Sequence, residues 1–159
     1  MRGRRYGLLL LATAVLAGCA STSATMRSAA AQQNTAIVLA FLDTVYNKHE
    51  VDQAFRLYVA PNYTQHRRGS PIGNEATIQA LTRMTHETYP EIRQDVKRTV
   101  AQGDLVAVHS LYVRNQADRD STGGRAAVDI FRLEHNHIVE HWDVGEDAPA
   151  SATGDNAIF

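Results

Sequence analysis

The sequence predicts an α+β fold. N-terminal helices cover one face of an antiparallel sheet, which makes a half-open cone. Two observations predict this. Helical periodicity dominates residues 35 to 89, and strand alternation broken by turn signals dominates residues 91 to 144. The 159 residues suffice for one domain with its own core, and no internal repeat is evident.

From about Thr35, "TAIVLAFLDTVYNKH" sets Ile37, Val38, Phe41, Leu42 and Val45 at helical spacing. "VDQAFRLYV" predicts a short second helix with Phe55 and Tyr58 on one side, stopped by Pro61. "NYTQHRRGSPIGN" reads as loop, crowded with Gly, Pro, Ser and Asn. "EATIQALTRMTHETY" predicts a third helix with Ile78, Leu81 and Thr85 in phase, ending before Pro90. "IRQDVKRTVAQGDLVAVHSLYVRN" then predicts a hairpin around "QGD", and "ADRDSTGG" a polar turn. "RAAVDIFRLEHNHIVEHWDV" predicts a second hairpin turning at His135-Asn136, where Asn tolerates positive φ.

Paired residues share a face of a sheet, so each turn fixes an expected register. A turn at His135-Asn136 pairs Glu134 with His137 and Leu133 with Ile138. Counting outward, Phe131 pairs with Glu140 and Asp129 with Trp142. Asp129, Phe131, Leu133, Ile138, Glu140 and Trp142 then form the face richer in large apolar groups, expected toward the helices. A slip of one residue would instead bring in His141 and Asp143. In the first hairpin a turn at Gln102-Gly103 pairs Val96 with His109 and Val100 with Leu105. His109 is then in phase with Leu105, Ala107, Leu111 and Val113 on an apolar face.

Composition is that of a globular chain: 44% hydrophobic, 21% charged, formal net charge −1. It has no basic stripe and no interleaving of aromatic and basic residues, so no nucleic-acid partner is expected. The N-terminus reads as a targeting segment. "MRGRRYG" is a basic n-region, "LLLLATAVLAG" a short apolar run, and "LAGC" resembles the bacterial lipobox, ending at Cys19, the single cysteine. "GRRYGLLL" is only a faint twin-arginine match. The expected organisation is a lipoprotein signal peptide at 1–18, a flexible tether at 19–34 and one domain at 35–159. Removal of Arg2, Arg4 and Arg5 leaves the 17 acidic residues in excess. Lipidation of Cys19 implies a membrane anchor in the cell envelope facing the periplasm, with secretion as the alternative. Ala20 and Ser21 carry no inner-membrane-retention Asp, which favours the outer membrane.

"YTQH" after two helices, then "VKRTVAQGDLVAVH", then "VDIFRLEHNHIVEHWDV", resemble the SnoaL-like polyketide cyclase family of the nuclear transport factor two-like superfamily. The closer likeness is to its branch of SnoaL-like aldol-condensation enzymes, over about residues 36 to 159. The resemblance implies an α+β cone with a pocket between helices and sheet, often a homodimer. It also implies an acidic side chain as base, with no metal and no organic cofactor. The sequence departs from the branch in two places. Arg67-Arg68 follow His66 where Asn-Pro is usual, and His135-Asn136 replace an Asp-Gly turn. The first bears on the pocket mouth, the second on turn chemistry.

Aldol-type closure needs a base for a proton α to a carbonyl and donors for the enolate oxygen. Asp129 is the expected base and His66 the expected donor to the substrate carbonyl. Tyr63 and His109 are candidate pocket donors, and Glu140 and Trp142 are expected to shape the pocket. His141 and Asp143 are the alternative pair if the register slips. "HNHIVEH" offers His135, His137 and His141, yet His135 belongs to the turn and no Cys is near, so no metal site is expected. The expected ligand is a small carbonyl or apolar molecule. The residues leave three readings open: a cofactor-free acid–base enzyme, a lipid-anchored binding module, and a structural dimer without a ligand-sized pocket.

Overall fold

The structure is a computed structural model that describes the backbone of residues 11–120 and 123–148, and side chains at residues 25, 26, 28–120 and 123–148. The residues expected as the signal's n-region, the side chain of Cys19 and the tail 149–159 lie outside the described residues.

Helix α1 (Leu11–Tyr46) leads to α2 (Val51–Tyr58), strand β1 (Val59–Gln65), α3 (Asn74–Arg83) and a π turn at Met84–Thr88. Strands β2 (Arg93–Gln102) and β3 (Leu105–Val113), the short helix α4 (Gln116–Asp120), and strands β4 (Gly124–Glu134) and β5 (His137–Ala148) follow. The sheet runs β1-β5-β4-β3-β2. Its neighbours are antiparallel except β1 and β5, which are parallel. The α+β cone expected from the sequence is the fold observed.

Helix α1 starts earlier than the periodicity suggested, continuing back through the segment read as a tether. Residues 19 to 34 contain no Gly and no Pro, so their small side chains are as compatible with helix as with a linker. Strand β1 occupies part of the stretch read as loop. Its Pro61 is tolerated because β1 is an edge strand, where a missing N–H breaks no ladder.

The core forms where α1 meets the sheet. Val38, Phe41, Leu42 and Val45 are buried at i, i+3, i+4 and i+7, against Phe55, Val106, Val108, Phe131 and Ile138. Phe41 sits edge-on to Phe55 at 5.6 Å and to Phe131 at 6.0 Å. Each such buried side chain contributes about 1.5–3 kcal/mol. The end of α1 is tied to β2 by Asn47, which accepts from Gln94 N–H at 2.9 Å and donates to Gln94 O at 3.3 Å.

Three register changes separate the sheet from the expected pairing. His135 and Asn136 take φ of 49° and 66°, the turn expected, and Glu134–His137 and Leu133–Ile138 pair as expected. A β-bulge at Val139 then shifts the ladder by one residue, giving Arg132–Glu140, Phe131–His141, Ile130–Trp142 and Asp129–Asp143. The expected pairs Phe131–Glu140 and Asp129–Trp142 are therefore not formed. In the other hairpin the turn falls at Gly103-Asp104, so Gln102 meets Leu105 and Val100 meets Ala107. A bulge at Lys97 leaves Arg98, not Val96, opposite His109. The buried face of β3 is Val106, Val108, Ser110 and Tyr112 rather than the face with His109. Both faces of β3 are apolar in sequence, so composition does not choose between them; contact with α1 does. Val100, Leu105 and Val144 are left exposed on the face away from the helices.

Candidate active site

A cavity of about 380 Å³ opens between the helices and the concave face of the sheet. This volume lies in the range of small-molecule sites. Phe41, Leu42, Val45, Phe55, Leu81, Met84 and Phe131 make its apolar wall. Tyr46, Tyr63, Gln65, Tyr112, Asp129, His141 and Asp143 bring polar groups to it, and Arg67, Arg114, Arg125 and Asp147 also line it.

Asp129 is 4% exposed, and both its carboxylate oxygens are occupied. The Tyr112 hydroxyl donates to Oδ2 at 2.7 Å, and His141 Nε2 lies 3.0 Å from Oδ1. Two glutamines extend the network. Gln94 Nε2 donates to Tyr112 Oη at 2.9 Å and to Ser110 Oγ at 3.0 Å. Gln65 Nε2 donates to Tyr63 Oη at 3.1 Å and reaches His141 Nδ1 at 2.9 Å.

The orientation of Gln65 decides the tautomer of His141. The backbone N–H of Arg67 donates to Gln65 Oε1 at 3.0 Å, so the other end of that amide is its NH₂. An amide NH₂ only donates, so His141 Nδ1 accepts, and the ring hydrogen sits on Nε2, aimed at Asp129. The His141 ring also stacks on Phe131 at 4.4 Å.

Three tyrosines at the cavity keep their protons. Burial pushes the Tyr112 hydroxyl well above its ordinary range, and the Asp129 charge adds to this. Burial does the same for Tyr46, helped by Asp129 and Asp143, and for Tyr63, helped by Tyr46, Asp143 and Asp129. Tyr63 accepts from Gln65, and its own hydroxyl hydrogen has no acceptor among the described residues. It is a donor available to a ligand oxygen.

Asp143 faces Asp129 directly across β4 and β5. Its Oδ1 is buried and meets no hydrogen-bond donor, while its Oδ2 lies 3.6 Å from Arg67 Nε. Arg114 is committed to Asp118 and Asp147. Arg125 donates to Gly145 O at 2.9 Å.

The structure therefore brings Asp129, Tyr63 and the alternative pair His141 and Asp143 to one cavity. It places His66, Glu140, Trp142 and His109 elsewhere. His66 bonds Glu140 at 2.8 Å and stacks flat on Trp142 at 4.5 Å, on the far face of the sheet. Glu140 also accepts from Arg132 Nε at 2.5 Å. His109 takes Arg98 Nη1 at 2.8 Å, again on the outer face. The cause is alternation: Tyr63 and Gln65 point inward along β1, so His66 points out, and the Val139 bulge turns Glu140 and Trp142 out with it. Gln65, Tyr46 and Tyr112 were not found from sequence. Had "VAPNYTQ" been read as a strand, Gln65 would have shared a face with Tyr63.

The SnoaL-like domain family matches residues 38–141, more than half of the chain. The chain belongs to the SnoaL-like domain family. Solved structures share the fold at low identity. A candidate polyketide cyclase from Acidithiobacillus ferrooxidans is 19% identical, with a TM-score of 0.60, over 72% of this chain and 88% of that one. TsrD from Streptomyces laurentii is 17% identical, with a TM-score of 0.57, over 72% and 89%. An NTF2-like protein of unknown function from Mesorhizobium loti is 22% identical, with a TM-score of 0.57, over 73% and 93%. No curated protein matches the chain. Within this SnoaL-like domain, no group of three or more His, Cys, Asp or Glu among the described residues is arranged to hold a metal ion.

Proposed function

We propose that this SnoaL-like domain carries out cofactor-independent acid–base chemistry on a small enolisable carbonyl compound, by aldol-type condensation, cyclisation or isomerisation. One observation carries the reading: an apolar cavity of ligand size holds two adjacent carboxylates, Asp129 and Asp143, beside tyrosine hydroxyls that remain protonated. Carboxylates beside an apolar wall are suited to proton transfer, and fixed O–H donors are suited to a developing enolate oxygen. Family kinship to polyketide cyclases supports the same class.

A second reading has its own support. The occupied oxygens of Asp129 suit a module that binds a small molecule without converting it. The cavity volume counts against a purely structural protein. Deuterium incorporation next to the carbonyl of 4-phenylbutan-2-one, followed by proton NMR in D₂O, separates the first two. Exchange faster than in buffer supports the enzyme. Binding without exchange supports the module.

We also propose that the chain is anchored in the cell envelope through a lipid on Cys19, facing the periplasm. It pairs as a homodimer through the sheet face that exposes Val100, Leu105 and Val144.

A further inference from the structure

Alternate residues of β4, Phe131, Asp129, Ala127 and Arg125, all line the cavity. Opposite them on β5 stand His141, Asp143, Gly145 and Asp147. The floor of the cavity therefore changes character along the strands. It is aromatic at Phe131, acidic at Asp129 and Asp143, and nearly bare at Ala127 and Gly145. A larger residue at Gly145 has no room, since a Cβ there would lie 2.6 Å from Ala126 O and 3.0 Å from Ala127 Cβ. Beyond this gap stands Arg125, half-buried and four residues from Asp129, which is about 13 Å along a strand.

Three arginines line the cavity among the described residues, and two of them face carboxylates. Arg114 holds Asp118 through Nε at 2.8 Å and Nη2 at 3.2 Å, and Asp147 through Nη1 at 2.9 Å. Arg67 lies 3.6 Å from Asp143 Oδ2. Arg125 makes no ion pair with a described residue, although Asp147 is its partner across the ladder, because Arg114 engages that carboxylate. Arg125 Nη2 donates to Gly145 O at 2.9 Å. A guanidinium carries five N–H donors in a planar fork, so a pair remains for a planar acceptor.

We propose that Arg125 binds a carboxylate of the ligand, which makes the ligand of this cavity a keto acid. Its ketone lies beside Asp129 and Asp143, an apolar spacer crosses the bare rung of Ala127 and Gly145, and its carboxylate meets Arg125. The length of β4 between Asp129 and Arg125 keeps the ligand's charge apart from the two aspartates. The place of the ketone rests on the acid–base reading; the carboxylate subsite stands on Arg125 itself.

The test uses the full chain and two ketones that differ by one charge, 4-phenylbutan-2-one and 4-(3-oxobutyl)benzoate. Calorimetry is expected to give about fivefold tighter binding of the benzoate, the upper scale of a half-exposed ion pair. Added salt reduces that preference by screening. In ¹H–¹⁵N spectra the Arg125 Nε–H signal, assigned with Arg125→Lys, shifts with the benzoate and not with the neutral ketone. Arg125→Met brings the two affinities together. Arg125→Lys keeps the charge without the fork and retains part of the preference. Equal affinities in the wild type, a shift confined to Arg67, or a preference kept in folded Arg125→Met overturns the proposal. Should Arg125→Met not fold, the wild-type Arg125 signal and Arg125→Lys decide it. A preference for the benzoate without deuterium exchange in either ketone removes the acid–base reading and leaves the subsite. Exchange of 4-phenylbutan-2-one without that preference removes the subsite and leaves the reading.

Discussion

Gln65 donates to His141 Nδ1 at 2.9 Å, and through this contact a residue on an edge strand sets which nitrogen of the cavity histidine carries hydrogen. At neutral pH, ¹⁵N NMR of the imidazoles is expected to show His141 protonated at Nε2 and bare at Nδ1. Gln65→Leu removes the donor and is expected to give a mixture of tautomers and a weaker His141–Asp129 contact. An unchanged tautomer in Gln65→Leu would show that Asp129 alone orients the ring.

Phe131 is 1% exposed, packs edge-on to Phe41 and supports the His141 ring. Phe131→Ala is expected to cost about 3–5 kcal/mol in urea unfolding. Phe131→Leu, which keeps most of the volume, should cost less but still free the imidazole. A loss under about 1 kcal/mol for Phe131→Ala would mean that the cavity collapses to refill the space.

The tyrosines at the cavity predict an alkaline weakness. Tyr46, Tyr63 and Tyr112 are all pushed above the ordinary value of 10.0 in the folded chain. A raised value means stability that is intact below about pH 10 and lost as pH rises above it, because only the unfolded chain gains by ionising. Each tyrosine adds a slope of about 1.4 kcal/mol per pH unit over that window. Ultraviolet absorbance of tyrosinate should therefore rise in two stages, exposed residues first and these three only with unfolding. Full ionisation near pH 10 with circular dichroism unchanged would refute it.

On the outer face, Glu140 is held below its ordinary value by hydrogen bonds from His66 and then Arg132. The sign is that of a depressed acid. Its contribution is present above about pH 4.5 and fades as pH falls through the lowered folded value. Glu140→Gln is expected to lower the melting temperature slightly at pH 7, with the gap to wild type closing at acid pH. A gap that persists at pH 3 would point to a contribution of the side chain other than its charge.

The envelope proposals have direct readouts. Labelled fatty acid should enter the wild-type chain in a bacterial host and be absent from Cys19→Ala. Light scattering should give twice the chain mass, reduced to monomer by Leu105→Glu. Label retained in Cys19→Ala, or a monomeric wild type, would set these aside.

The sequence by itself determined the fold class, the core stripe Val38, Phe41, Leu42 and Val45, the His135-Asn136 turn, and an inward-facing Asp129. All of these follow from local rules: helical period, turn chemistry, and alternation counted over a few residues. The tertiary structure decided the company Asp129 keeps. One extra residue at Val139 exchanges Glu140 and Trp142 for His141 and Asp143, and no local propensity marks where a strand bulges. It also turned a loop into the edge strand β1, which carries Gln65 and Tyr63 inward and His66 out. That strand exists because β5 offers it an unpaired edge, a relation between segments more than seventy residues apart that neither segment displays alone.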